Sequence, residues 1–375
     1  MGKIAIFGIG GVGSLVARAL AAAPEISEIS VFAGNAAKLR AEAMDLRIAA
    51  ENAGNERITI RAEMLDLFDH DRTSTMLAAI RPDVLVNTAT MRSWFAIASA
   101  LPQPVWRKLY SASRFGPWLP INLAPAVCFM RAARAACPDA ATINVAFPDG
   151  INPILHGMGL TPTLGAGNSE ILHSVLRISA AEMLGVPVAE IDAELIGHHF
   201  HLANLDHDTA WTDRAFWYRL HHNGRDVTEE LSARGFQAVM RRNCPHKSPV
   251  PAAVSTAKNT RRLLGADAGR RVHCSAPAGL GGGTEVVFMD GWPAITLPEG
   301  VTAERRDTIL ARAMQAEGID AILPDGRIRF GTAEAEAMRA QLGYDVTILD
   351  PAEAEARGHE LLARFDEIAA RTPEA

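Results

Sequence analysis

The stretch KIAIFGIGGVG, residues 3–13, decides the fold of this chain. It begins with a short apolar run rich in β-branched residues, which is typical of a buried parallel strand. The run ends in Gly8-Ile9-Gly10-Gly11-Val12-Gly13, and residues 13–23 (GSLVARALAAA) follow with a helical pattern. A strand, a G-x-G-x-x-G loop and a helix in that order predict a turn that binds a dinucleotide.

The glycines have separate roles in such a turn. We expect Gly8 to allow the tight turn, Gly10 to let the backbone approach a pyrophosphate, and Gly13 to let the helix pack closely on the strand. The amides at the helix N-terminus, around Gly11 and Val12, then attract the phosphates together with the helix dipole. The alternative is a glycine-rich turn that binds no ligand.

Strands and helices continue to alternate through the first 150 residues. This alternation predicts a parallel, doubly wound α/β sheet of the Rossmann type. Gly and Pro cluster after residues 148–153 (PDGINP), so we place a domain boundary there. We predict a dinucleotide-binding domain over residues 1–150 and an α+β substrate and oligomerisation domain over residues 151–375. The first domain is predicted to hold strands at 3–9, 28–33, 57–61, 83–88 and 141–147, and helices at 13–23, 35–52, 72–80 and 122–136.

The second predicted domain has a mixed pattern. A glycine-rich loop covers residues 275–284, and a Gly- and Pro-rich irregular stretch covers 148–167. Helices are predicted at 169–184, 250–264, 302–316 and 352–371, and strands at 191–196, 285–289 and 294–297.

The composition excludes several classes of protein. Of the 375 residues, 48% are hydrophobic and 21% are charged, which is typical of a globular protein. The 37 basic and 43 acidic side chains give a net charge of -6, which argues against nucleic-acid binding. No apolar run approaches the ~18 residues of a membrane span, and four cysteines without a C-x-x-C pair indicate a reducing compartment. We expect a cytoplasmic protein with a small-molecule substrate and neither a nucleic-acid nor a membrane partner.

The end of the second predicted strand bears on the choice of cofactor. An acidic residue there would accept hydrogen bonds from the ribose hydroxyls of NAD. The sequence instead has Ala33-Gly34-Asn35, followed by Lys38 and Arg40. The missing carboxylate and the nearby cations favour NADP over NAD, with Asn35 beside the adenosine; a loosely held adenosine is the alternative.

Several segments resemble, in order, motifs of the lactate/malate dehydrogenase superfamily, which also includes the NAD-dependent family-4 glycosidases. The resemblance implies a nicotinamide cofactor with Thr88 and Ala89 beside it, Arg92 near the substrate, His199 as the catalytic histidine, and a homo-oligomer. The segments are 42–46 (EAMDL), 87–92 (NTATMR), 119–123 (LPINL), 165–168 (GAGN) and 196–199 (IGHH).

Two motifs of that superfamily are changed in this chain. The segment that carries a substrate-contacting Asn is replaced by Phe147-Pro148-Asp149. The segment that carries an Asp to orient the histidine and an Arg to bind a substrate carboxylate is replaced by residues 171–175 (ILHSV). The resemblance therefore leaves the substrate open, including an imine-type substrate.

Residues 198–207 (HHFHLANLDH) contain four of the chain's 12 histidines. If the segment is extended, His199 and His201 share one face. A neutral imidazole can accept a proton from an alcohol as hydride leaves, and Asp206 would orient such a group. We predict a catalytic role for His199, His201 and Asp206. A surface loop with incidental histidines and a metal site formed by the same three residues are the alternatives.

Further candidate site residues flank the predicted strands. Asp149 and Asn152 follow a strand at the carboxyl edge of the sheet, where ligands of α/β proteins bind, so we predict that they contact the substrate. Arg92 and Arg114 flank an aromatic stretch that we interpret as a lid with a cationic anchor.

Together these features predict an NAD(P)-dependent oxidoreductase with a histidine as acid and base. The first alternative is a redox-neutral lyase or hydrolase of the family-4 glycosidase type. The second is a dinucleotide sensor without catalytic activity.

Overall fold

A six-stranded parallel sheet forms the centre of the protein. In the computed structural model, which describes residues 1–208, 211, 216–244 and 248–372, its strand order is β3-β2-β1-β4-β5-β6. This is the order of a doubly wound dinucleotide-binding sheet, so the predicted fold class is confirmed. The strands are β1 (Gly2–Phe7), β2 (Ile26–Ala33), β3 (Thr59–Met64), β4 (Val84–Asn87), β5 (Ala141–Asn144) and β6 (Leu164–Gly165).

Helices cover both faces of this sheet because successive side chains of a strand point in opposite directions. Ile4 and Ile6 of β1 pack in one apolar cluster with α1, whereas Phe7 packs in another with Phe129 of α6. The helices of this part are α1 (Gly11–Ala21), α2 (Ala36–Asn52), α3 (His70–Ile80), α4 (Trp94–Ser99), α5 (Gln103–Ser113), α6 (Pro120–Ala136) and α7 (Pro148–Gly157).

The aromatic stretch after β4 is a packed helical layer and not an open loop. Trp94 contacts Trp106, Tyr110, Phe115 and Trp118, with ring centroids 5.4, 5.6, 4.7 and 5.8 Å away. Four aromatic neighbours around one indole fix α4 and α5 against the core. The stretch that we interpret as a lid is therefore packed against the core in this structure.

The sheet continues past the predicted boundary at residue 150. Helix α7 begins at Pro148, in the segment that was predicted to be irregular. A proline is compatible with the first turn of a helix, where its missing N–H would have no partner. Strand β6 then pairs with β5 at Leu164–Gly165, so a boundary at 150 would divide the sheet.

The middle of the chain forms an α+β unit with two small antiparallel sheets, ordered β7-β8-β9 and β10-β11-β12. One of its helices, α12, also packs on α1 of the first sheet. The elements are α8 (Ser169–Leu184), β7 (Ile191–Ile196), α9 (His199–Ala203), β8 (Trp217–His222), β9 (Arg225–Asp226), α10 (Thr228–Ala233), α11 (Phe236–Arg242), α12 (Val250–Leu263), β10 (Arg271–Cys274), β11 (Thr284–Met289) and β12 (Trp292–Ile295).

The last 75 residues pack mainly against helices of the first sheet, and not only against the middle unit. Helix α15 packs on α6, and α14 packs on α5. Phe330 and Phe365 share one apolar cluster with Phe7. Residues 151–375 are therefore not a single compact second domain. The elements are α13 (Ala303–Ala316), β13 (Ile319–Ile322), β14 (Ile328–Phe330), α14 (Thr332–Leu342), β15 (Ile348–Leu349) and α15 (Ala354–Arg371).

Across the described parts of the chain, no helix combines the length and the apolar character that crossing a membrane requires.

Candidate active site

The glycine loop has tight geometry at its first and last glycines. Gly8 has a φ of +87°, and a Cβ there would lie 2.8 Å from the backbone nitrogen of Ala89. A Cβ on Gly13 would lie 2.0 Å from the carbonyl oxygen of Gly8. The hydroxyl of Thr88 donates a hydrogen bond of 2.6 Å to the same oxygen. Side chains are therefore excluded from both positions, and the end of β4 supports the loop.

Gly10 faces open space where a dinucleotide phosphate would lie. A Cβ on Gly10 would meet none of the described atoms within 4 Å. Gly10 precedes α1, whose first turn contains no acidic residue. The free amides of a helix start and the positive end of its dipole favour an anion at this position. These residues fit the pyrophosphate of a nicotinamide dinucleotide.

A cleft runs from the glycine loop in two directions, as two compartments that share Gly10, Thr88, Thr90 and Ser93. The first compartment, of about 670 Å³, follows the carboxyl ends of β1 to β4, and we call it the adenosine compartment. The second, of about 490 Å³, reaches His199 between the sheet and the middle unit, and we call it the substrate compartment. Both names state expectations about the ligand.

The adenosine compartment differs from the predicted arrangement of cations. The side chain of Asn35 accepts a hydrogen bond of 2.9 Å from the amide of Lys38 and so caps α2. Among the described residues that line the compartment, the cations are Arg72 and Arg92, and Lys38 and Arg40 are not included. Arg72 is exposed and donates to the carbonyl oxygen of Met64 at 3.0 Å.

Residues His199–Ala203 of the histidine segment form the short helix α9, so the extended conformation that would place His199 and His201 on one face is not present there. The Nδ1 atom of His198 accepts a hydrogen bond from the amide of Phe200, and Nδ1 of His201 accepts one from the amide of His198, both at 3.0 Å. Imidazoles thus cap α9 in the way that Ser and Glu do in a capping box. His198 and His201 are fully buried, which removes His201 from the predicted site.

His199 is the histidine that lines the substrate compartment. Its Nδ1 atom lies 2.6 Å from Oε1 of Glu317, and the side chains are 22% and 4% exposed, respectively. Glu317 directly follows α13, and its backbone oxygen accepts a hydrogen bond of 2.6 Å from the amide of Gly116. The returning C-terminal part of the chain therefore supplies the carboxylate that orients this imidazole.

Asp149 is a second carboxylate beside His199. Its Oδ2 atom accepts hydrogen bonds from the amide of His199 at 2.6 Å and from Nδ2 of Asn168 at 3.2 Å. Its buried Oδ1 atom has no hydrogen-bond partner among the described residues. Burial raises the pKa of Asp149 to about 6, against the opposing effects of His199 and Asn168.

The two carboxylates determine the charge state of the imidazole. Burial acts to lower the pKa of His199, but the charge of Glu317, its hydrogen bond and the charge of Asp149 outweigh burial. The net pKa of His199 is raised, so its protonated form extends to higher pH than that of an ordinary histidine.

The walls of the substrate compartment include aromatic rings that contact His199. The rings of Phe115 and Phe147 lie 5.5 and 5.1 Å from the imidazole, centroid to centroid. Phe147 and Asn168, which also line the compartment, have positive φ angles of 44° and 37°. Positive φ is uncommon outside glycine, and such strain is concentrated at functional sites.

Two other predicted site residues lie away from this arrangement. Asp206 is 61% exposed and pairs with His207 at 3.7 Å, so the structure does not place it beside His199. Asn152 is fully buried; its Oδ1 accepts a hydrogen bond from Nδ2 of Asn144, and its Nδ2 donates one to the backbone oxygen of Ala276. Since its amide already bonds the protein, we remove Asn152 from the substrate site.

Arg92 lies in the adenosine compartment and not beside the imidazole. It forms two hydrogen bonds, of 2.5 and 2.9 Å, with the carboxylate of Asp366 on α15. This paired geometry uses the charge and two N–H donors of the guanidinium, so we do not assign the predicted substrate contact to Arg92.

No metal site is found among His, Cys, Asp and Glu side chains of the described residues. The alternative site of His199, His201 and Asp206 is not assembled, because His201 is buried in the α9 cap and Asp206 is exposed.

A second histidine site, at His273, is buried and closed to solvent. His273 contacts Ser169 through Nε2 and Glu285 through Nδ1, each at 3.1 Å. Ser169 is fully buried, and the side chains of His273 and Glu285 are 1% and 5% exposed. Burial lowers the pKa of His273 to about 3, so the imidazole is neutral. This arrangement joins α8 to β10 and β11 and has no access for a substrate.

Comparison with known proteins places the fold in a defined class. No family model and no curated protein matches the sequence. Among solved structures, the chain is similar to a malate dehydrogenase from Plasmodium falciparum in complex with NADH, with a TM-score of 0.59 and 15% identity over 84% of this chain and 96% of that one. The fold is therefore that of the lactate and malate dehydrogenases, and the predicted resemblance is confirmed for the fold.

Two further structures support the same class. A lactate dehydrogenase from Cryptosporidium parvum, complexed with lactic acid and nicotinamide adenine dinucleotide, has a TM-score of 0.58 and 15% identity over 84% of this chain and 95% of that one. A second structure of the P. falciparum malate dehydrogenase covers 97% of this chain and 100% of its own, with a TM-score of 0.58 and 14% identity.

Proposed function

We propose that the protein is an oxidoreductase that moves a hydride between NAD(P) and a small substrate bearing a hydroxyl or amino group. The observation that carries the proposal is that His199, held by Glu317, lines the compartment that adjoins the glycine loop. The bound nicotinamide supplies the hydride acceptor or donor, and the chain's own residues bind, orient and move the proton. The similarity in fold to malate and lactate dehydrogenases supports the proposal.

His199 exchanges the proton through its Nε2 atom, since Nδ1 is bonded to Glu317. In the oxidative direction a neutral Nε2 accepts the hydroxyl proton while hydride leaves the adjoining carbon. In the reductive direction a protonated Nε2 donates to the carbonyl oxygen or imine nitrogen. Glu317 holds the ring in one orientation and stabilises its charged form, as a buried carboxylate does for the histidine of a catalytic triad. The raised pKa of His199 favours the reductive direction at neutral pH.

The cofactor is proposed to be NADP(H) in preference to NAD(H). Strand β2 ends at Ala33 without a carboxylate, and the exposed Arg72 lines the adenosine compartment. Oδ1 of Asp66, the acidic residue of this lining, accepts a hydrogen bond from the amide of Phe68 at 3.0 Å. We assign Arg72 as the cation of this lining that pairs with a 2′-phosphate of NADP(H).

Two measurements test the proposed function together. Isothermal titration calorimetry with NADPH and NADH should show binding to the wild type. A screen of alcohols and carbonyl compounds, followed through the nicotinamide absorbance, should show net oxidation or reduction of the cofactor. Binding without any net change would favour the redox-neutral or sensor alternatives, and absence of binding would remove the proposal altogether.

A further inference from the structure

The substrate compartment has apolar walls close to the reacting histidine. Trp94, Phe95, Phe115 and Phe147 line it, and Asn122 and Asn168 supply amide groups. Phe95, in the first turn of α4, is 49% exposed. An exposed phenylalanine ring that lines a cleft presents an apolar surface that a ligand can cover.

The charges around this compartment are unfavourable for an anionic ligand. Among the described residues that line it, none is Lys or Arg. The ionisable groups that hold His199 are Glu317 and Asp149, both carboxylates. At neutral pH the negative charges of Glu317 and Asp149 outnumber the positive charge of protonated His199 between them, and the described lining residues offer a ligand carboxylate no Lys or Arg to replace its lost hydration.

We propose that the substrate of this site is a neutral secondary alcohol, or its ketone, with an apolar body, and not a 2-hydroxy or 2-keto acid. This inference rests on the proposed function and specifies its substrate class. On oxidation, the carbinol C–H bond breaks and its electron pair leaves as hydride to NAD(P)⁺. The O–H proton passes to Nε2 of His199, and a C=O bond forms. The aromatic walls receive the apolar body of the substrate. Asn122 and Asn168 also line the compartment, and their side-chain amides would bond a polar group of the substrate.

A matched pair of ketones tests the inference directly. Acetophenone and phenylglyoxylate share a phenyl ring and a reacting carbonyl, and differ in whether a methyl or a carboxylate completes the ketone. Each is titrated into the protein saturated with NADPH or NADH, with nicotinamide fluorescence as the readout. We expect acetophenone to bind more tightly by about tenfold or more, because the described lining residues include no Lys or Arg to pair with the carboxylate.

A variant locates the effect in the compartment. Phe95→Ala should weaken acetophenone binding by about fivefold or more, since it removes a large apolar contact, and should leave the cofactor dissociation constant unchanged. Val105→Ala is the matched control, because Val105 is 39% exposed on the neighbouring helix and is not among the residues that line the compartment.

The outcomes separate this inference from the proposed function. Phenylglyoxylate binding as tightly as acetophenone, acetophenone failing to bind, or Phe95→Ala behaving like Val105→Ala overturns the substrate class while cofactor binding remains. If neither NADPH nor NADH binds, the proposed function fails first and the inference fails with it.

Discussion

Replacing Glu317 with Gln removes the charge that holds His199 and keeps the shape of the side chain. The Nδ1–Oε1 distance is 2.6 Å, and Glu317 is only 4% exposed, so solvent screens the pair weakly. A hydrogen bond to a charged group contributes about 1.5–3 kcal/mol, and one pKa unit corresponds to about 1.4 kcal/mol. Glu317→Gln should therefore lower the pKa of His199, because it removes the charge and the charged hydrogen bond that raise this pKa in the wild type.

NMR titration of the histidine side chains measures this change, with the His199 signal assigned by its loss in His199→Gln. The pH at which the reductive rate declines should shift down by the same amount. Glu304→Gln, at the opposite end of α13, is the control and should leave both values unchanged. A His199 pKa that stays within about 0.3 unit of the wild type, far below the expected effect of a lost charge, or that rises, would refute the reasoning.

The same substitution changes stability with a defined dependence on pH. A histidine with a raised pKa in the folded state stabilises the fold fully below its unfolded pKa of about 6.5. This contribution is lost as pH rises through the folded pKa. Glu317→Gln should therefore lower the free energy of unfolding most below about pH 6, and least above the folded pKa, as urea denaturation at several pH values would show.

Three further predictions concern the cofactor and the assembly. Gly10→Val should weaken cofactor binding in calorimetry by about tenfold or more, because its side chain would enter the space for the pyrophosphate; an unchanged dissociation constant would contradict this. NADPH should bind more tightly than NADH. Arg72→Ala should remove this difference, whereas Lys38→Ala should keep it. Tighter binding of NADH to the wild type would contradict the prediction. We expect a homo-oligomer whose subunits contact through apolar side chains exposed on α2 and α12. Ile48→Glu should therefore lower the mass measured by light scattering. A monomeric wild type at micromolar concentration would contradict this.

The first sheet was predictable from sequence because its signals are local. The glycine loop directly follows β1, and the apolar runs of β1, β2 and β4 are each a short, mostly buried stretch of neighbouring residues. Helix α7 is not predicted from the sequence because Gly and Pro cluster around it, including Pro148 and Pro153. Pro148 lies in the first turn, but Pro153 lies inside the helix, where packing in a buried segment outweighs local preference.

The candidate site was predictable only in part. Order and spacing pointed to His199, but its partner Glu317 is 118 residues away, and no local pattern connects the two. A shared face for His199 and His201 requires an extended segment, whereas imidazole caps make this part of the chain the short helix α9. The contact between His199 and Glu317 depends on how the C-terminal residues pack against the first sheet, and the periodicity of a single sequence does not show that packing.

The most direct test of the central claim is the turnover of His199→Gln compared with that of the wild type, with the same substrate and cofactor. General acid–base help contributes about 10²–10⁴-fold, so the variant should lose turnover by that order. Its dissociation constant for the cofactor should stay within about threefold of the wild type, because His199 is not part of the glycine loop that receives the pyrophosphate. Turnover of His199→Gln within about threefold of the wild type, a loss far below that of general acid–base catalysis, would show that the proton comes from another group.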